Sequence, residues 1–164
     1  MHWQCSRCGE VHEGLPLDWA YDRPYAWEGP RSADDHLGED LCTWTDDAGE
    51  PGFFIRGLLP IPVRDTGEVL NYGVWSSLSR RSYDRIVELW DEDERVSEPP
   101  YFGYLSNALP GYPPTLGLQL AVVTRAVELR PTFVLQPGDH PLIDEQWQGI
   151  DSARVLELAE INFH

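Results

Sequence analysis

The chain has 164 residues, 41% of them hydrophobic, enough for one domain with its own core. Its 28 acidic residues face 12 basic ones, all arginine, for a formal net charge of −16. A field of that sign repels nucleic-acid phosphates and anionic membrane surfaces, and it favours cationic partners, basic proteins among them.

The plain reading of the charge is a surface that keeps the protein in solution. No stretch approaches the roughly 18–20 apolar residues of a membrane span. Met1-His2-Trp3-Gln4-Cys5 shows neither the basic region nor the apolar run of a secretory signal. The cytoplasm is therefore the expected compartment. Seven Trp, seven Tyr and five Phe supply large rings for a core or a groove.

Cys5-Ser6-Arg7-Cys8-Gly9, followed by His12, opens the chain as a metal knuckle over its first 15 residues. Residues 16–39 are rich in Pro, Asp and aromatic rings, and read as an irregular segment with one short helix. From Asp40 the pattern turns to strand. Leu41 to Thr45 is β-prone, 46–49 is a turn, and Phe53 to Val63 is a long apolar strand. Pro60 and Pro62 cannot donate to a ladder, which places that end at an edge or bulge. After a turn at 65–68, Leu70 to Leu78 completes an antiparallel meander.

Ser79 or Ser82 caps a helix over 80–91, in which Tyr83, Ile86, Val87 and Trp90 share a face. The acidic run Asp91 to Glu94 suits a helix C-terminus badly and reads as a solvated loop. Pro99 to Asn107 is an aromatic strand or loop, and 110–114 a rigid turn. Residues 116–127 and 132–136 read as paired strands. Pro141 starts one helix, and Asp151-Ser152 caps a last one over 151–163. The expected fold is a single α+β domain over 1–164. Its antiparallel sheet has five or six strands, its helices lie on one face, and a zinc-knuckle-like loop sits at the N-terminus.

Zinc takes four tetrahedral donors. Cys5 and Cys8 have the spacing to share one ion, His12 is close enough to fold back, and Cys42 is the only other thiol. A structural Cys3His site from Cys5, Cys8, His12 and Cys42 is the expectation. His140, in Asp139-His140-Pro141-Leu142, competes for the fourth place, because a neighbouring acid can orient a ligating ring. Two other readings stay open: free cysteines with Cys42 buried as a small hydrophobe, and a redox-active CxxC. His36 lies in an acidic stretch and reads as solvated, while His2 and His164 are terminal.

No nucleotide, zinc-protease or serine-hydrolase motif occurs. Glu145 is the least weak candidate for carboxylate chemistry, and Ser76, Ser77 and Ser79 imply no nucleophile elbow. Arg56, alone among Phe53, Phe54, Ile55 and Gly57, faces solvent, pairs with a buried carboxylate, or meets a ligand. The rings of Pro99 to Asn107 are core or a recognition surface.

Several motifs occur in a fixed order: Cys5-x-x-Cys8-Gly9-x-x-His12, Asp40-Leu41-Cys42, Phe53 to Gly57 leading to Ile61-Pro62-Val63, Gly73 to Ser79, Pro100 to Asn107, and His140-Pro141-Leu142 with Gln146 and Gly149-Ile150. In this the chain resembles the bacterial domain-of-unknown-function family 2199 over nearly its whole length. The resemblance implies a bacterial, cytosolic, single-domain protein and brings no activity with it. The family pattern includes Cys5, Cys8, Cys42 and His140. Ile143-Asp144-Glu145-Gln146 departs from the Ala-Val-Glu-Gln frequent in the family.

Three functional readings follow. The first is a non-enzymatic, zinc-stabilised interaction domain. The second is an acidic antagonist, such as an immunity protein, for a basic toxin. The third is a metal-dependent enzyme, which needs an open coordination position. A nucleic-acid or membrane partner is not expected.

Overall fold

The computed structural model describes residues 2–4 and 9–163, and of His12 and Phe163 the backbone alone. Two strands, β1 (His2–Gln4) and β2 (Val11–Glu13), form a small antiparallel hairpin. The body is an eight-stranded sheet. Its strands are β3 (Asp18–Ala20), β4 (His36–Leu37), β5 (Leu41–Thr45), β6 (Pro51–Val63), β7 (Glu68–Leu78), β8 (Tyr101–Tyr104), β9 (Gln119–Val123) and β10 (Thr132–Leu135). The main order is β3-β7-β6-β10-β9-β8, with β5 on β6 and β4 on β5.

The β6–β7 hairpin is the spine, paired without interruption from Phe53↔Leu78 to Val63↔Glu68. Side chains along β6 alternate, so Phe53, Ile55, Leu59, Ile61 and Val63 all enter one core. β7 is buried on both faces from Tyr72 to Ser76, as a central strand with two covered faces must be.

The prolines of β6 fall where the sheet tolerates them. The N–H groups of Arg56, Leu58 and Arg64 point away from β7, to Asp40, Pro131 and Ile150. Pro60 and Pro62 share that phase, so the missing donors cost the β6–β7 ladder nothing. The same side of β6 takes β5 first, then β10 at Leu58, then Ile150 beside Val63. Gly57 is required where β10 approaches. A Cβ there would lie 2.5 Å from the Phe133 ring and 2.8 Å from the Pro131 carbonyl.

Two expectations change. The sheet is mixed rather than antiparallel, with eight strands rather than five or six. β3 runs parallel to β7, and β10 parallel to β6. Segment 16–39 holds β3 and β4, and no helix among the described residues. Trp19 on β3 is 5% exposed and packs edge-on to Tyr72, so a three-residue strand is held by one buried ring. Short edge strands of this kind carry too little periodicity to be read from sequence. The far end of the sheet also returns. Leu105, just past β8, bridges to Ser76, bringing that edge back against β7.

Three helices cover one face: α1 (Arg80–Glu88), α2 (Pro141–Gln148) and α3 (Ser152–Phe163). Ser79 caps α1, its Oγ accepting the Ser82 N–H at 3.1 Å. Asp151 accepts the Arg154 N–H at the start of α3. The acidic run after α1 is not all loop, because Asp93–Ser97 forms a turn of 3-10 helix. Ile86, Leu142, Ile143, Val155, Leu158 and Ala159 seal the core from the helix side. No described helix is long and apolar enough to cross a membrane.

Candidate functional site

The CxxC pair sits in the connection of the β1–β2 hairpin. Gln4 pairs with Val11. Cys5 and Cys8 themselves lie outside the described residues. Their flanks are described. Gly9 has φ +74°, the left-handed conformation that lets a chain turn away directly after the second cysteine. The Gln4 side-chain amide donates to the Gly9 carbonyl at 3.0 Å and closes the loop. Trp3 holds the hairpin to the body, since its ring packs on the main core and its indole N–H donates to the Gly14 carbonyl at 2.9 Å. His12 lies on β2, in register with Trp3.

Cys42 is in a different place. It is fully buried on β5, on the sheet face away from the helices, in a second cluster with Trp44 and Trp75. Tyr21, Trp27, Leu37 and Phe54 pack around it. Burial, with a smaller push from Asp35, raises its thiol to about 12. Burial of this kind favours the protonated thiol over the thiolate. Among the described residues no three His, Cys, Asp or Glu side chains come together as a metal site.

His140 has both ring nitrogens committed. It is the N-cap of α2, with Nδ1 accepting the Leu142 N–H at 3.0 Å. Nε2 faces the Pro113 and Pro114 carbonyls at 3.2 and 3.1 Å, so it carries the proton. The ring is therefore oriented by backbone groups, not by Asp139, and it ties the 110–114 turn to α2. His36 is exposed, on β4 rather than in a loop.

Glu145 is also occupied. Its carboxylate accepts from Arg154 Nε at 2.8 Å and from the Tyr112 hydroxyl, and the Arg154 guanidinium lies over the Tyr112 ring. The three join α2, α3 and the turn at 110–114. Burial first, then the neighbouring Tyr72 and Glu145, push the Tyr112 phenol well above its ordinary value. Among the rings of Pro99 to Asn107, Phe102 and Tyr104 are exposed and pack edge-on to each other, and Leu105 is core.

Sequence reasoning missed the part played by buried polar residues. Asn107 Oδ1 accepts the Trp75 N–H at 2.7 Å, and its Nδ2 donates to the Arg23 carbonyl at 2.9 Å. The Gln146 amide does the same for β10, accepting from Leu135 N at 2.7 Å and donating to Phe133 O at 2.8 Å. Arg95, 5% exposed, donates to three carbonyls. Asn107 and Gln146 complete backbone pairing at β7 and β10, Arg95 satisfies loop carbonyls, and such pairing is the condition for burying them. Asn107, His140 and Gln146 all belong to the ordered motifs of the sequence. Those motifs therefore mark polar joints of the fold as much as chemistry.

A family model described as "Uncharacterized protein conserved in bacteria (DUF2199)" matches residues 4–150. The chain belongs to this family. The match runs from the end of β1 to the bridge residue after α2, so it takes in the whole eight-stranded sheet together with Asn107, His140 and Gln146. Comparison with curated proteins and with solved structures finds no match.

Proposed function

We propose that this DUF2199 protein is a zinc-stabilised interaction domain, in which the N-terminal hairpin holds the metal. The observation that carries the reading is the place of the CxxCG. It falls between two paired strands, with Gly9 left-handed directly after Cys8. Two thiolates and the His12 imidazole are donors that zinc takes readily. Bound zinc would clamp the two ends of the hairpin connection and add its binding energy to folding. Cys42 is the weakest member of the expected donor set, because its thiol is enclosed by Trp44, Trp75 and Phe54 and favours its proton.

Metal content of protein purified without added metal or chelator tests this. About one zinc per chain is expected. Cys5→Ser and Cys8→Ser should lose it, His12→Ala should weaken it, and Cys42→Ser should keep it. Metal-free wild type would sink the reading. Loss of zinc in Cys42→Ser would restore the closed Cys3His site. A fourth donor that closes the site supports the structural reading, whereas Cys5, Cys8 and His12 alone with a bound water would point to a zinc enzyme.

The acidic surface supports a narrower second reading, an antagonist of a cationic protein. The net charge of −16 and the exposed run Asp91 to Glu94 are what favour it. It predicts tight association with one basic protein, with an on-rate that falls steeply as salt rises. Salt-independent binding would argue against it.

A further inference from the structure

Three of the arginines in this acidic chain meet in one cavity. Arg56 comes from β6, Arg95 from the 3-10 turn after α1, and Arg130 from the connection into β10. With Asp40 and Trp90 they line a space of about 270 Å³. Arg95 forms one wall. Its guanidinium is locked by the carbonyls of Trp90, Arg125 and Leu129 at 2.8–3.1 Å and lies over the Trp90 ring. None of those acceptors carries a formal charge, so no carboxylate pairs directly with Arg95. Glu128, the one described non-glycine residue at positive φ, stands in the loop that aims these carbonyls.

Arg56 is incompletely used. Its Nε is buried without a hydrogen-bond partner, and its Nη1 reaches only the Glu39 carbonyl at 3.4 Å. Arg130 spends Nε on Asp40 at 3.0 Å. Burial and then the Arg130 charge hold Arg56 below its ordinary value, against the opposite pull of Asp40, Asp22 and Glu39. A buried donor with no acceptor and two cations in mutual repulsion are both relieved by the same thing, an anion placed between them. The acids around the cavity limit what enters. Asp40 is engaged by Arg130, and Asp91 and Glu128 stand exposed at the rim. They oppose a polyanion and admit a single compact group.

We propose that this cavity binds a small oxyanion, a carboxylate or a phosphate group, between Arg56 and Arg130 and against Arg95. The site is separate from the hairpin and does not depend on zinc being bound there. It also gives the lone arginine of the Phe53-Phe54-Ile55-Arg56-Gly57 motif a role. Because the chain as a whole repels anions, saturable binding of one must be local.

Calorimetric titration of the full chain with inorganic phosphate, and separately with acetate, is the test. The variants are Arg56→Gln, Arg130→Gln and, as a control, Arg81→Gln on the exposed side of α1. One saturable site is expected for at least one probe, and the probe that binds distinguishes a phosphate from a carboxylate ligand. Loss of either cavity arginine should weaken binding about tenfold or more. Arg81→Gln should bind as wild type does. Arg130 is partly exposed, so its variant keeps the test valid should Arg56→Gln fold poorly. No saturable binding of either probe by the wild type overturns the proposal, as does equal weakening by Arg81→Gln.

Discussion

The two faces of the sheet are closed by different means. On one, α1, α2 and α3 lay apolar side chains over Ile55, Leu59, Ile61, Tyr72 and Phe133, and the core is continuous from the Trp19 end to Val63. On the other, Cys42, Trp44 and Trp75 are covered by the irregular chain around residues 21–37. That cover is held by polar ties. The Trp44 and Trp75 indole N–H groups donate to the Gly29 and Tyr21 carbonyls, each at 3.0 Å. Arg31 lies over the Trp44 ring while its guanidinium pairs with Glu28 and Asp47. The difference is one of currency. The helix face is stabilised by apolar area, the other face by large rings whose polar edges anchor a chain with no regular structure.

The largest effect expected from breaking this contrast is on the helix face. Phe133→Ala removes a fully buried ring and should cost about 3–5 kcal/mol. Trp44→Ala, where the ring is 9% exposed beneath Arg31, should cost less, about 2 kcal/mol. Urea unfolding of both variants measures the pair. If Trp44→Ala proved the costlier, the irregular cover would be the stronger of the two closures.

Cys42→Ala should have the smallest effect at neutral pH, about 1 kcal/mol for one lost contact group. Its signature lies at alkaline pH. The unfolded thiol ionises near 9, whereas the folded one keeps its proton to about 12. Between those values the unfolded state binds fewer protons, so stability falls as pH rises. Tyr101, pushed up to about 12 by burial and Glu98, adds to the same loss. Cys42→Ala should therefore show a shallower decline of the urea midpoint from pH 9 upward. An unchanged slope would mean that the folded thiol ionises no later than the unfolded one, and burial would not be holding its proton. The measurement thus sharpens the donor question from a second direction.

Much of the helix face was legible. The alternation of Phe53 to Val63, the Ser79 cap, Pro141 at a helix start and the Asp151 cap are local signals, and each acts through its own few residues. The strand pairs 116–127 with 132–136 were legible for the same reason, as a hairpin-like repeat of apolar positions. The polar face was not. Trp27 and Tyr21 read as loop residues because what they bury against, Cys42 and Phe54, lies on strands β5 and β6 further along the chain.

The candidate sites divide along the same line. The CxxCG announced a turn by spacing and by a glycine next to the second thiol, and it falls on residues outside those described. Cys42 stood out only as the remaining thiol, and its place on the sheet face away from the helices had no local signal. Arg56 stood out as a charge in an apolar strand. Arg95 and Arg130 gave no signal at all, since each is an ordinary arginine until the fold sets it in the cavity.

By itself, then, the sequence determined the spine of the sheet, three helices with the caps of the first and last, and the acidic field. Each of these depends on neighbours within a few residues or on a sum over the chain. Only the tertiary structure decided the two parallel pairings, the burial of Cys42, the conversion of Asn107, His140 and Gln146 into backbone partners, and the meeting of three arginines. Each of those depends on side chains brought together from distant segments, and the free energy that selects such contacts exists only once the segments are packed.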